Sequence, residues 1–318
     1  MRPAPLLTAL LLTFTAATLQ AQDELEDIRE QLKNSVRNSD IGAGYAQMLN
    51  FFIDPSISAS YLESDDGTRY DVFKVPIQYT FPLNEGRWQL AVRGALSRAQ
   101  AENRFELLAG EVTDGTWTAH SGQVGVGLMA PLSETMSWIV AGQFGISRLE
   151  NKADYNGGLT EAILAPLIDG VLFNWDTNAR VSSLSGGLDY RDRLADRYEL
   201  EVLARYTYSR IESYSESRDL VPFSADTGTL SAKADLRHPF SATLGDRPLF
   251  GVAHLGATAF TGPNRNALGF SHFYELGYSL GVDVSEHNRF FRAFRFGYQL
   301  NLGSDIEGHS LLFGWELK

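Results

Sequence analysis

Six histidines and a set of charges set inside apolar segments are the residues of this chain whose types and spacing could do chemistry. The histidines are His120, His238, His254, His272, His287 and His309. A metal centre needs ligands at a spacing that brings them onto one ion, such as HExxH or HxH, and none of the six has it. The chain contains no cysteine, which excludes thiolate ligands and a thiol nucleophile. No serine sits in a GxSxG elbow, so a hydrolase would require His254 or His120 to meet a serine through the fold alone. Gly157-Gly158 and Gly186-Gly187 are not followed by Lys-Ser or Lys-Thr and cannot be phosphate loops; the second pair reads as a strand bend or bulge. No cofactor and no metal is expected.

The embedded charges say more. The cations are Lys74, Arg93, Arg180, Arg205, Lys233, Arg237 and Arg295, and the carboxylates are Glu199, Glu201, Asp235, Glu275 and Asp283. Facing one another across an enclosed wet interior, they would either neutralise one another in a filled lumen or line a narrow channel. Rings of one sign would give ion selectivity; this mixture gives none.

What positions them is an alternation of period two. In Arg69–Phe81 the residues Phe73, Val75, Ile77, Tyr79 and Phe81 fall on one face, and Val72, Lys74, Pro76, Gln78 and Thr80 on the other. Segments 197–209, 274–284 and 290–302 repeat the pattern, and across the four segments Tyr or Phe closes the apolar face at Tyr70, Phe81, Tyr198, Tyr208, Tyr274 and Tyr298. A helix would scatter these residues around its circumference. A soluble sandwich would put the charged positions against a dry core, at high cost. A membrane barrel instead turns the apolar face to lipid, ringed by aromatics, and the charged face to a wet lumen.

Strands are predicted near 55–63, 69–81, 87–98, 117–130, 136–148, 177–190, 197–209, 229–238, 248–260, 272–284, 290–302 and 309–317. Short connections such as PLNEG and PLSET alternate with long ones at 99–116, 149–176 and 210–228, as in a barrel with short turns on its periplasmic side. Within 149–176, the apolar stretch Thr160–Phe173 folds against the barrel mouth, continues a strand, or marks a partner site. The fold class is therefore an all-β, transmembrane antiparallel β-barrel of about twelve strands with a short N-terminal helix.

Composition agrees. The 318 residues carry a net charge of −12, 12% aromatics and a mean hydropathy of −0.17. These values exclude a polytopic helical membrane protein, which needs apolar runs of about 20 residues. They exclude a disordered chain too, and they disfavour nucleic acid as a partner. Residues 1–21 pair Arg2 with an apolar stretch from Leu6 to Ala17 and a small Ala21, the pattern of a cleaved secretory signal peptide. Residues 22–54 form an N-terminal helical segment, with Leu25, Ile28, Leu32 and Val36 on one stripe. Two placements stay open for it, as a lumen plug or against the periplasmic rim; a polar lumen offers an apolar stripe little reason to enter. Residues 55–318 are the barrel.

The last strand alternates Leu311, Phe313, Trp315 and Leu317 outward, which resembles the C-terminal signal read by the barrel-assembly machinery, with Leu317 and Lys318 in place of a terminal aromatic. Twelve strands, a helix upstream of the first and this last strand resemble the translocator barrel of autotransporters. With no room for a passenger, the resemblance is to the solitary outer-membrane autotransporter-like β-barrel family, over essentially the whole mature chain. It implies a Gram-negative outer membrane, contact with outer-membrane lipid, and a porin-like or scaffold role of a barrel without a passenger. A surface partner is not identifiable. The competing reading is an outer-membrane hydrolase, phospholipase- or protease-like, with its site at the barrel rim.

Overall fold

The computed structural model describes residues 30–31, 44, 57–83, 87–108, 110–195, 197–216, 222–262 and 265–317. The expected signal peptide lies outside them. So does the 22–54 segment apart from Glu30, Gln31 and Gly44, which are helical. Twelve strands follow: β1 (Ile57–Ser64), β2 (Arg69–Leu83), β3 (Trp88–Leu108), β4 (Glu111–Pro131), β5 (Met136–Tyr155) and β6 (Trp175–Leu194), then β7 (Tyr198–Glu216), β8 (Ser224–Leu244), β9 (Arg247–Thr261), β10 (His272–Asp283), β11 (Phe291–Leu302) and β12 (Ile306–Leu317). Each pairs antiparallel with its neighbours, and β1 closes the cylinder on β12 from Ile57↔Phe313 to Ser64↔Ile306. Closure leaves no unpaired edge, so the backbone is satisfied without disulfides.

Alternation sets the two faces. Phe73, Ile77, Tyr79, Phe81, Val92, Leu96, Phe144, Leu184, Leu255, Leu276, Leu280 and Phe296 are all exposed on the outer surface. Apolar exposure on this scale would be untenable in water; it is the belt that meets hydrocarbon. No helix among the described residues is long and apolar enough to cross a membrane, so crossing falls to the strands.

The strands at the long-loop end run further than the sequence pattern suggests. The stretch 99–116, expected as a loop, is a paired extension of β3 and β4 reaching Leu108↔Glu111. Likewise the 149–176 connection shrinks to 156–174; at the opposite, short-turn end, 239–247 becomes a two-residue turn on Gly245, whose φ of 68° suits a residue without Cβ. Beyond the lipid belt the outer face touches water, so Arg98, Gln100, Glu102 and Arg104 can occupy it and the apolar alternation fades while pairing continues. The apolar stretch 160–173 forms a helical turn over Thr160–Ile168. It lies over the mouth: Thr160 and Val171 are buried, and Phe173 stacks on Phe105 of β3 at 5.6 Å.

The lumen is not polar throughout, contrary to expectation. In its long-loop half, Leu62, Val72, Leu149, Trp175, Val181, Ile211 and Ile306 point inward from the strands and pack with Phe260 and Phe273, as does Tyr70, which was expected on the outer face but shares the parity of Val72 and Lys74. Leu268 and Phe270, from the β9–β10 loop, drop into this cluster, and Tyr70 donates to the Leu268 carbonyl at 2.7 Å. The core of the protein is thus the outer half of its own lumen.

Candidate functional site: the lumen

The other half, toward the short turns, is a cavity of about 1210 Å³ walled by charges. Eleven of the twelve residues proposed as lumen-facing take the inward parity of their strands: Lys74, Arg93, Glu199, Glu201, Arg205, Lys233, Asp235, Arg237, Glu275, Asp283 and Arg295. Arg180 does not. It is exposed, shares parity with the outward Leu184 and Leu188 of β6, and lies 5.0 Å over the ring of Tyr214. Parity with Leu184 and Leu188 was the signal for its facing, thinned by the intervening Ser182, Ser183, Ser185, Gly186 and Gly187.

Strand register builds the polar network on one wall. His254 sits directly opposite Asp235 on β8, and Gly256 is flanked by Lys233 and Glu275 on either side. A Cβ on Gly256 would overlap Glu275 Oε2, so the glycine makes space for the carboxylate to turn along the wall. Asp235 bonds His254 Nδ1 and lies 3.8 Å from Arg295. Glu275 lies 3.9 Å from Lys233 Nζ and 3.8 Å from His254 Nε2, and accepts from Gln299 at 3.1 Å. From Gln299 the chain of bonds continues to Asn301 (2.8 Å), Ser310 (2.9 Å) and Ser60 (2.8 Å). Five strand boundaries are bridged by charge-assisted or neutral bonds in a protected interior, where each is worth more than at the surface.

Nearer the short-turn rim, Arg191 pairs with Asp189 (3.0 Å) and Glu201 (2.9 Å), and Arg193 with Glu199 (3.5 Å). Arg237 pairs with Glu316 (3.1 Å) and lies 3.6 Å over the Phe250 ring. Asp283 accepts the Ser285 backbone N–H at 2.8 Å, holding the rim turn rather than pairing across the lumen. Lys74 of β2 and Arg93 of β3 line the cavity together with Arg205, which comes from β7 on the far side of β4–β6, and none of the three has a carboxylate partner among the described residues. Gly186-Gly187 is not a bulge, since β6–β7 register runs unbroken there; Gly187 stands directly opposite Arg205, and its missing Cβ leaves room for that residue.

Sequence reasoning missed Asp189, Arg191, Arg193, Gln299, Asn301, Ser310 and Glu316. Their signal was parity: Asp189 and Arg191 alternate with Leu188 and Tyr190, and Glu316 lies between outward Trp315 and Leu317. The four residues of the proposed assembly signal lie on the outer face, with Leu311 and Phe313 exposed and Phe313 and Trp315 ring centroids 6.0 Å apart. The two histidines considered for hydrolysis stand on opposite faces. His120 points outward, and His254 points inward with its two ring nitrogens on Asp235 and Glu275.

A closed barrel with a lipid-ready belt, a packed outer lumen and a charged inner lumen defines the class: a β-barrel of the outer membrane. The chain belongs to the solitary outer membrane autotransporter beta-barrel domain family, whose model matches residues 22–317. Solved structures agree on the fold. The translocator domain of the autotransporter NalP from Neisseria meningitidis superposes with a TM-score of 0.57 at 12% identity, covering 88% of this chain and 98% of that one. The transport unit of AIDA-I from Escherichia coli gives 0.52 at 11%, covering 87% and 97%, and the β domain of the Bordetella autotransporter BrkA gives 0.51 at 11%, covering 83% and 99%. No curated protein matches the sequence. By the convention of such barrels the short turns face the periplasm and the long-loop end faces outward.

Proposed function

We propose that this protein acts as a sealed translocator-type barrel: a scaffold that holds its long-loop rim above the outer membrane, with a lumen accessible from the periplasm alone. One observation carries the reading. The outward half of the lumen is a dry apolar cluster in which Phe270 is 1% exposed and Leu149 0%, with the β9–β10 loop acting as its stopper. A hydrated ion or a polypeptide cannot cross such a cluster without displacing it. The apolar belt suits outer-membrane lipid, and the alternating end of β12 suits recognition by the barrel-assembly machinery. The exposed Leu159 and Ile163 offer apolar contacts to a surface partner.

The test is conductance in planar bilayers. The wild-type barrel should add no steady current, while the double change Leu268→Ser and Phe270→Ser should produce discrete openings. Steady wild-type current, unaltered by the double change, would overturn the sealed reading. The charged periplasmic vestibule favours a second reading, a gated conduit, which instead gains conductance when residues 22–54 are deleted.

A further inference from the structure

Within the vestibule, Lys74, Arg93 and Arg205 stand apart from every other charge. Arg191, Arg193, Lys233, Arg237 and Arg295 each have a carboxylate within 4.0 Å. These three have none among the described residues. Lys74 is 1% exposed and Arg205 5%. Lys74 Nζ, Arg93 Nε and Arg205 Nε and Nη1 are enclosed without a hydrogen-bond partner. The three are close enough to repel one another. Nor do their strand neighbours supply hidden compensation: Lys74 is flanked in register by Ser58 and Ser97, Arg93 by Gln78 and Gly125, and Arg205 by Gly187 and Ser231. Gathering three like charges out of water with no counter-charge is costly. All three residues line the same 1210 Å³ cavity that opens toward the periplasm.

We propose that Lys74, Arg93 and Arg205 form a binding site for a compact oxyanion of the phosphate class that enters from the periplasmic end. Two guanidinium forks and one ammonium supply the kinds of donor that a tetrahedral oxyanion accepts, the forks bidentately and the lysine as a point charge. A divalent oxyanion fits a triply cationic site better than chloride, which lacks the oxygens a fork can grip. The small and neutral flanking residues bring no competing carboxylate to the cations. This proposal goes beyond the sealed-barrel reading and does not depend on it, because the site lies on the vestibule side of the apolar cluster.

The test uses the full chain folded in micelles of an uncharged detergent, titrated calorimetrically with inorganic phosphate at constant ionic strength. Saturable one-site binding is expected. Its affinity should drop by about tenfold or more in Lys74→Met and in Arg205→Met, the effect of losing one charge-assisted contact. It should be unchanged in Arg104→Met, which alters an exposed ion pair at the opposite end. Thermal melting adds a readout that a purely structural role would not produce. In chloride alone the methionine variants should melt higher than wild type, having lost a repelling charge; in phosphate the order should reverse. If a methionine variant does not fold, Arg205→Lys keeps the charge but loses the fork, and its affinity should fall between. Micelles doped with phosphatidylglycerol separate the two sources of phosphate chemistry: undiminished phosphate heat identifies a free anion, and loss of the heat identifies a headgroup. No saturable heat, or equal affinity in wild type and the methionine variants, would overturn the proposal.

Discussion

The two halves of the lumen are lined by the same twelve strands yet solve opposite problems. The outward half excludes water by packing, with Tyr70, Phe260, Phe270 and Phe273 in edge and tilted ring contacts at 5.9–6.2 Å. The periplasmic half is charged: carboxylates such as Asp235 and Glu275 are each shared between several donors, while Lys74, Arg93 and Arg205 have no carboxylate among the described residues. The difference teaches that inward parity in a barrel is not synonymous with polarity. The outer face is under one constraint, contact with lipid, along the whole belt. The inner face answers to whatever fills the lumen at that depth, and here that changes halfway along.

The largest effect should come from opening the packed half. Phe270→Ala removes a ring that is 1% exposed, and the site, bounded by rigid strands, collapses little. A loss of about 3–5 kcal/mol is expected, read as a lower urea midpoint in micelles. If the loss were under about 1 kcal/mol, in the range of a surface change, the two halves would not differ in kind. Next is the charged half. Glu275→Leu removes the acceptor shared by Lys233, His254 and Gln299 and should cost about 3 kcal/mol, with Glu275→Gln costing less because it still accepts from Gln299. Equal unfolding midpoints for the leucine variant and wild type would show that this network contributes nothing.

The same contrast explains what could be read from the sequence. Strand number, pairing order and outward facing were legible wherever lipid contact imposed an unbroken apolar set, as in Tyr274, Leu276, Tyr278, Leu280 and Val282 of β10. The parity opposite such a set placed Glu275 and Asp283 inside. Facing was harder to read at Arg180, where a run of Ser and Gly thins the alternation and only Leu184 and Leu188 mark the outward parity it shares. The dry half was hidden because much of its wall is small: Ala99, Ala101, Ala119 and Ala179 look neutral in sequence and become core only when a cylinder brings them together. The ends of β3 and β4 were hidden for the opposite reason, since above the membrane both faces are free to be polar.

A smaller effect sharpens the comparison at the rim, where the loop covering the packed half is tied by a carboxylate. Glu111 accepts the backbone N–H groups of Thr160 (2.6 Å) and Leu159 (3.1 Å), and the Thr160 bonds, then that from Leu159, hold its carboxyl below the ordinary glutamate value. A depressed folded-state pKa contributes stability that is present above the unfolded value, about 4.3, and is lost as pH falls through the lower folded value. Proteolysis of the 156–174 loop should therefore be slow at neutral pH and accelerate below about pH 4, and Glu111→Gln should show the faster rate at both. Identical pH profiles for the variant and wild type would mean that the loop is held by its apolar contacts alone.

The smallest effect belongs to the outer surface of the β3–β4 extension. Arg104 Nε donates to Asp114 Oδ1 at 2.7 Å, with both side chains well exposed. Asp114 is held below the usual aspartate value by that bond first, but water screens the pair and ordering two side chains offsets the attraction. Arg104→Ala should leave the unfolding midpoint unchanged within error at physiological salt, although the pair is shorter than any cation–carboxylate contact in the vestibule apart from the His254–Asp235 bond. A loss as large as that of Glu275→Leu would mean that burial does not decide which ion pairs matter in this barrel, and the division of the lumen into a packed half and a charged half would lose its energetic basis.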